Sequence, residues 1–298
     1  MRQYKVIASL SAMYGMRLIC RVLNVCFSAF YAWKRGESHV MSKIKAERAV
    51  HVRSVFEEHR RRYGARRVSK ELQAQQISVG RRQAGSLMRK QGLLAIQPKS
   101  YVPKTTDSKH GLGRSPNLLL DCKAPGGPNE IFVGDITYIA MSDGDFIFLA
   151  SWQDMYSRKI VGWELLQHMR SELVIKALRK AIDRRSLPKG LIIHSDGGGQ
   201  YASHEFKKLL SEHGFQSSMT RRDNHYDNAM AESLFSRFKA ELMDKGAFDS
   251  FGDAYTEIFE YIEIYYNTRR RHSGIDYQIP QAFERAWEEM QKLSKSSS

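Results

Sequence analysis

Phe132-Val133-Gly134-Asp135-Ile136-Thr137-Tyr138-Ile139 decides the fold. Aromatic and β-branched residues dominate it, which predicts a strand over 131–141. Aspartate is disfavoured inside strands, so Asp135 needs a reason to be there. Ser142-Asp143-Gly144 follows as a hairpin signal, and 145–154 and 159–167 read as two further strands.

Beyond them the period changes. Residues 171–184 place Leu173, Val174, Ala177, Leu178 and Ala181 at helical spacing, with Ser171 as the expected N-cap. A short buried strand is expected at 190–194, a Ser-capped helix at 203–213, a strand at 215–219, and helices at 227–242, 251–267 and 280–293. The order β-β-β-α-β-α-β-α gives three antiparallel strands followed by parallel additions with helices on the faces. That is an α/β, ribonuclease-H-like arrangement.

The part before this core differs in charge. Net charge is +15, yet residues 1–120 hold 24 Lys and Arg against 6 Asp and Glu, while 121–298 hold 23 against 26. Attraction to a phosphate backbone belongs to the front. Four regions are expected: a helical, helix-turn-helix-like region at 1–50, a second helix-turn-helix at 51–96, a linker at 97–128 holding five of the seven prolines, and the core at 129–298. In the second helix-turn-helix, 68–75 is a short helix, 76–79 a turn and 80–91 the recognition helix, whose Arg81, Arg82, Arg89 and Lys90 form a basic face. Arg66 and Arg67 add candidate phosphate contacts. Three cysteines without a CxxC pair suit a reducing cytosol and offer no cysteine zinc site. No apolar run reaches the ~18 residues of a membrane helix, and no signal peptide is expected.

Three acids carry the chemistry. Asp196 closes Leu191-Ile192-Ile193-His194-Ser195-Asp196, with sixty residues between it and Asp135, and thirty-five more separate it from Glu232 in Asp227-Asn228-Ala229-Met230-Ala231-Glu232. Two carboxylates at strands and one on a helix suit a hard divalent cation such as Mg²⁺, which takes oxygen ligands and serves phosphoryl transfer. Lys239 lies two helical turns beyond Glu232 on the same face. Gly197-Gly198-Gly199 would let backbone N–H groups approach substrate phosphate. Arg221, Arg222, Asn224, His225 and Tyr226 are expected along a DNA path, and Arg269-Arg270-Arg271-His272 reads either as a second basic patch or as a basic helix end.

The chain resembles the OrfB-type transposases of bacterial insertion sequences, whose core is similar to retroviral integrase. The resemblance rests on Tyr63-Gly64-Ala65-Arg66-Arg67-Val68, Leu87-Met88-Arg89-Lys90-Gln91-Gly92-Leu93, Gly134-Asp135-Ile136-Thr137-Tyr138, His194-Ser195-Asp196 with Gln200-Tyr201, Asp227-Asn228-Ala229 with Glu232, and Tyr266-Asn267 with Arg270-Arg271-His272. It implies Asp135, Asp196 and Glu232 as a metal-binding catalytic (DDE) triad using Mg²⁺, with Mn²⁺ as a substitute, and Lys239 as a contact to terminal DNA. It implies nicking at element ends and attack by the freed 3′-hydroxyl on target DNA. Implied partners are double-stranded DNA (terminal inverted repeats and target), further copies of the chain, and an upstream small open-reading-frame product. The implied location is the bacterial cytoplasm at the nucleoid, with no membrane. Gly197, Gly199 and Asp223 depart from the family's usual residues, as do Cys26 and Phe27 near the front. Two other functions fit the same residues: a ribonuclease-H-type nuclease, and a DNA-binding regulator of element ends without turnover.

Overall fold

The computed structural model describes residues 2–36, 43–98, 113–120, 122–221, 228–243 and 246–296. Its centre is a five-stranded sheet of β1 (Ile131–Ala140), β2 (Phe146–Asp154), β3 (Ile160–Leu166), β4 (Ile192–Ser195) and β5 (Gln216–Met219), in the spatial order β3-β2-β1-β4-β5. The pairs β1–β2 and β2–β3 are antiparallel, while β1–β4 and β4–β5 are parallel. This is the ribonuclease-H-like topology expected from the element order. Gly144 turns the first hairpin at φ +93°, a conformation open to glycine at no steric cost.

The sheet is buried on both faces. On one, Phe132, Ala150, Trp152 and Val161 pack against α7 (Ser171–Arg184), α8 (Gly199–Ala202) and α9 (His204–His213). On the other, Ile139, Leu149, Trp163 and Leu165 meet α10 (Ala229–Leu242) and α11 (Phe251–Phe259), which continues as a π-helical segment, Glu260–Tyr266. A final helix, α12, spans Pro280–Ser296. Ser203 caps α9 by accepting from the Phe206 N–H at 3.2 Å. Ser171 does not cap α7; Arg170 holds that position, without a side-chain bond.

Among the described residues six helices precede the sheet. The first three, α1 (Arg2–Leu10), α2 (Met16–Val22) and α3 (Phe27–Lys34), enclose a small core of Ile7, Ile19, Cys20 and Phe30. The next three, α4 (Lys43–Glu58), α5 (Ala65–Ala74) and α6 (Arg81–Lys90), form one unit around Val52, Phe56, Leu72 and Leu87. The expected boundary at residue 50 therefore falls inside α4.

This three-helix unit is joined to the sheet domain by one continuous core. His59 stacks on Tyr63, with centroids 3.7 Å apart, and shares a 3.3 Å hydrogen bond with the Tyr265 hydroxyl. The Arg62 guanidinium lies over the rings of Tyr261 and Tyr265 at 5.0 and 4.5 Å. The Arg271 N–H donates to the Tyr63 hydroxyl at 2.7 Å, and Arg67 Nε donates to the Arg271 carbonyl at 2.9 Å. Ion pairs Arg271–Glu71 (2.7 Å) and Arg269–Glu58 (2.6 Å) complete the junction. No helix among the described residues is long and apolar enough to cross a membrane.

Candidate active site

In the parallel β1–β4 ladder Val133 pairs with His194. Asp135 and Asp196 each lie two residues further on, and side chains alternate with period two. The two carboxylates thus fall toward the sheet face that α10 covers, Asp135 within β1 and Asp196 one residue past the end of β4. Gly134, just before the first acid, faces Trp152 across the β1–β2 pair, and a Cβ there would overlap the indole. That explains a glycine inside a central strand.

Asp135 Oδ1 accepts from the Ile136 N–H at 2.8 Å. Its pKa is pushed well above the ordinary carboxylate range, first by burial, then by the negative charge of Asp196 and, less, of Glu232; the Ile136 N–H and Lys239 oppose the rise. Asp196 Oδ1 accepts from the Gly198 N–H at 3.0 Å. Glu232 stands exposed in the first turn of α10. Among the described residues no three Asp, Glu, His or Cys side chains stand close enough to hold one ion. The structure therefore brings the two aspartates together and supplies Glu232 as a nearby charge, without closing the trio. A divalent cation fits this donor set: the ligands are hard oxygens, and the repulsion that raises Asp135 is what a bound cation relieves.

Lys239 projects from α10 toward the same place. Its ammonium lies 3.7 Å from the centroid of the Tyr138 ring, and burial lowers its pKa while Asp135 raises it.

Two family descriptions named Integrase core domain match residues 125–225 and 213–280, and one named HTH-like domain matches 43–101. The transposase for insertion sequence element IS904 of Lactococcus lactis subsp. lactis (strain IL1403) is 40% identical over 247 residues, which is 82% of this chain and 97% of that protein. This chain belongs to the insertion-sequence transposases. Transposase InsF for insertion sequence IS3A of Escherichia coli (strain K12) is 34% identical over 284 residues, 95% of this chain and 98% of that one. Among solved structures, the HTLV-2 integrase catalytic core domain in complex with magnesium aligns at TM-score 0.42 and 18% identity, covering 53% of this chain and 97% of its own.

In the transposase, α6 shows Arg81, Arg82, Arg89 and Lys90 to solvent, and Arg66 and Arg221 are also exposed. Lys45 and Arg48 of α4 join Arg82 along a groove between the two helices; both were missed as members of this face, since the charge of α4 alone does not show which side meets α6. Arg222 and Asp223 to Asp227 lie outside the described residues.

Three expectations change. Arg67 is engaged at the junction with the core, bonded to the Arg271 carbonyl and 3.9 Å from Glu241, so it is not an open phosphate contact. The Arg269–His272 stretch is structural: Arg270 is buried in a bidentate pair with Glu241, and its neighbours serve the junction. The glycine triplet is not a phosphate cradle either. A Cβ at Gly197 would occupy the Arg114 guanidinium, the Gly198 N–H is spent on Asp196, and Gly199 starts α8.

Proposed function

We propose that the transposase nicks element ends and joins them to target DNA with Asp135, Asp196 and Glu232 as its catalytic acids. The observation that carries this reading is Asp135 within β1 beside Asp196 just past the end of the adjacent parallel β4, with the Asp135 carboxyl pushed up first by burial and then by the charge of Asp196. Water attacks the phosphate at an element end, breaking its P–O3′ bond and freeing a 3′-hydroxyl. That hydroxyl then attacks a target phosphate, forming one P–O bond as another breaks. Asp135 and Asp196, with Glu232 as the nearby third acid, would hold Mg²⁺ or Mn²⁺, which when bound would stabilise charge on the attacking and leaving oxygens. The side chains themselves orient the strand and accept the proton of the attacking hydroxyl.

The exposed face of α6 supports docking in the major groove of the terminal inverted repeats, with Arg66, Arg221 and Lys239 as further phosphate contacts. Two ends must be joined, so the working form contains several copies of the chain, and an upstream open-reading-frame product is a further partner. The reaction uses chromosomal DNA, so its place is the cytoplasm, at the nucleoid.

The test is strand transfer on end-sequence DNA with Mg²⁺, comparing the unaltered chain with Asp196→Asn. Joined product from the former and none from the latter is expected. Undiminished joining by Asp196→Asn refutes the assigned chemistry. Cleavage of RNA–DNA hybrids without joining would favour a nuclease, and end binding without turnover a regulator.

A further inference from the structure

Residues 113–120, in the stretch between the matched helix-turn-helix and integrase spans, are stitched to the end of the sheet. The Met219 N–H donates to the Pro116 carbonyl at 3.2 Å, the Leu118 N–H to Ser218 Oγ at 3.0 Å, and Ser115 Oγ to Ser217 Oγ at 2.8 Å. Lys207 Nζ holds the Gly113 carbonyl at 2.9 Å. This leg carries Arg114 to the carboxyl ends of β4 and β5, where its Nη2 donates to the Thr220 carbonyl at 3.0 Å and its guanidinium lies on Gly197, the residue after Asp196. Carboxyl ends of parallel strands are where open α/β sheets receive ligands.

The other terminal nitrogen, Nη1, is buried and has no hydrogen-bond partner among the described residues. Leaving a charged donor in that condition is unfavourable, and an acceptor arriving there relieves it. The residue as a whole is only partly buried, so a phosphate reaches Nη1 once the guanidinium turns or DNA displaces what covers it. A cation with a spare donor, fixed one residue from a catalytic acid, matches the charge that builds on phosphoryl oxygens during transfer. Arginine makes such contacts with planar, charge-assisted geometry.

We propose that Arg114 is a substrate-contacting residue of the transposition site, its Nη1 taking a non-bridging phosphate oxygen of the DNA strand held at Asp196. This inference rests on the catalytic reading above. It gives the leg before the core a part in the chemistry, and it gives Gly197 a reason: any side chain there would push the guanidinium away.

The experiment pairs Arg114→Gln with DNA ends in which single phosphates near the cleaved bond are replaced by uncharged methylphosphonates. On unmodified DNA, Arg114→Gln should lower strand transfer by about tenfold or more, with end affinity and melting temperature nearly unchanged and part of the rate restored by Arg114→Lys. At one phosphate, the methylphosphonate should slow the unaltered protein yet slow Arg114→Gln no further. A purely structural Arg114 gives independent, multiplicative losses at every phosphate, and that result overturns the proposal. Should Arg114→Gln fail to fold, Arg114→Lys and Gly197→Ala run the same comparison with the same two outcomes. No transfer by the unaltered chain would sink the catalytic reading and this one with it, whereas transfer without coupling sinks this one alone.

Discussion

Replacing Glu241 by glutamine leaves its shape and removes its charge. In the folded protein Glu241 and Arg270 have side chains 1% and 2% exposed, joined at 2.6 and 2.9 Å. Tyr261 donates to the same carboxylate at 2.8 Å, and Arg67 stands 3.9 Å away. In Glu241→Gln the Arg270 charge stays buried without its counterion, which costs about 3–5 kcal/mol. At about 2–4 °C per kcal/mol for a unit of this size, melting should fall by about 6–20 °C. Urea and thermal unfolding followed by tryptophan fluorescence measure both quantities. The pair itself is worth less than its breakage, because two desolvated charges repay little more than they cost. The double variant Glu241→Leu/Arg270→Met should therefore recover at least half of the loss. Burial alone would raise the Glu241 carboxyl, but the Arg270 charge outweighs it and the net pKa is depressed below the ordinary 4.5. A depressed carboxyl stabilises the fold above its unfolded value, and that stability is lost as pH falls through the folded value. Glu241→Gln should lack this part of acid unfolding. A loss below about 1 kcal/mol in the single variant, or a double variant as unstable as both singles combined, refutes the reasoning.

Two further outcomes are expected. Changing Arg81, Arg82, Arg89 and Lys90 together to glutamine should reduce the slope of log affinity against log salt on end DNA by about 3 to 4, at about 0.9 per phosphate contact; a change under 1 would remove α6 from the interface. His59, 3% exposed, has its pKa lowered by burial from 6.5 to about 4. Its neutral form therefore stabilises the junction fully above pH 6.5, with about 2 kcal/mol lost between pH 6.5 and 5. His59→Gln should flatten that segment of the stability profile, and an unchanged slope would exclude His59 as its source.

The strands and their acids are legible in sequence because they follow local rules. An aspartate amid β-branched residues, and another ending an apolar run, announce themselves without knowledge of the fold. What buries α1 is not legible locally, since Ile7 of Arg2–Leu10 is enclosed only by Ile19 and Cys20 from α2 and Phe30 from α3. Arginines divide in the same way. The sign of their charge is visible, but Arg67, Arg270 and Arg271 find Glu241 and Glu71 across distances of 29 to 200 positions, so a string of letters cannot separate a DNA contact from a buried counterion. Gly197 likewise acquires its reason from Arg114, 83 positions earlier.

The aromatic and ionic seam between α4–α5 and the π-helical segment fastens the reading head to the cutting head. Such a molecule behaves as a ruler. Inserting one base pair between the recognised motif and the scissile bond would rotate the latter by roughly 34°, given about 10.5 pairs per turn of the double helix. Element ends that drift in spacing should thus be rejected even when every letter of the motif is intact.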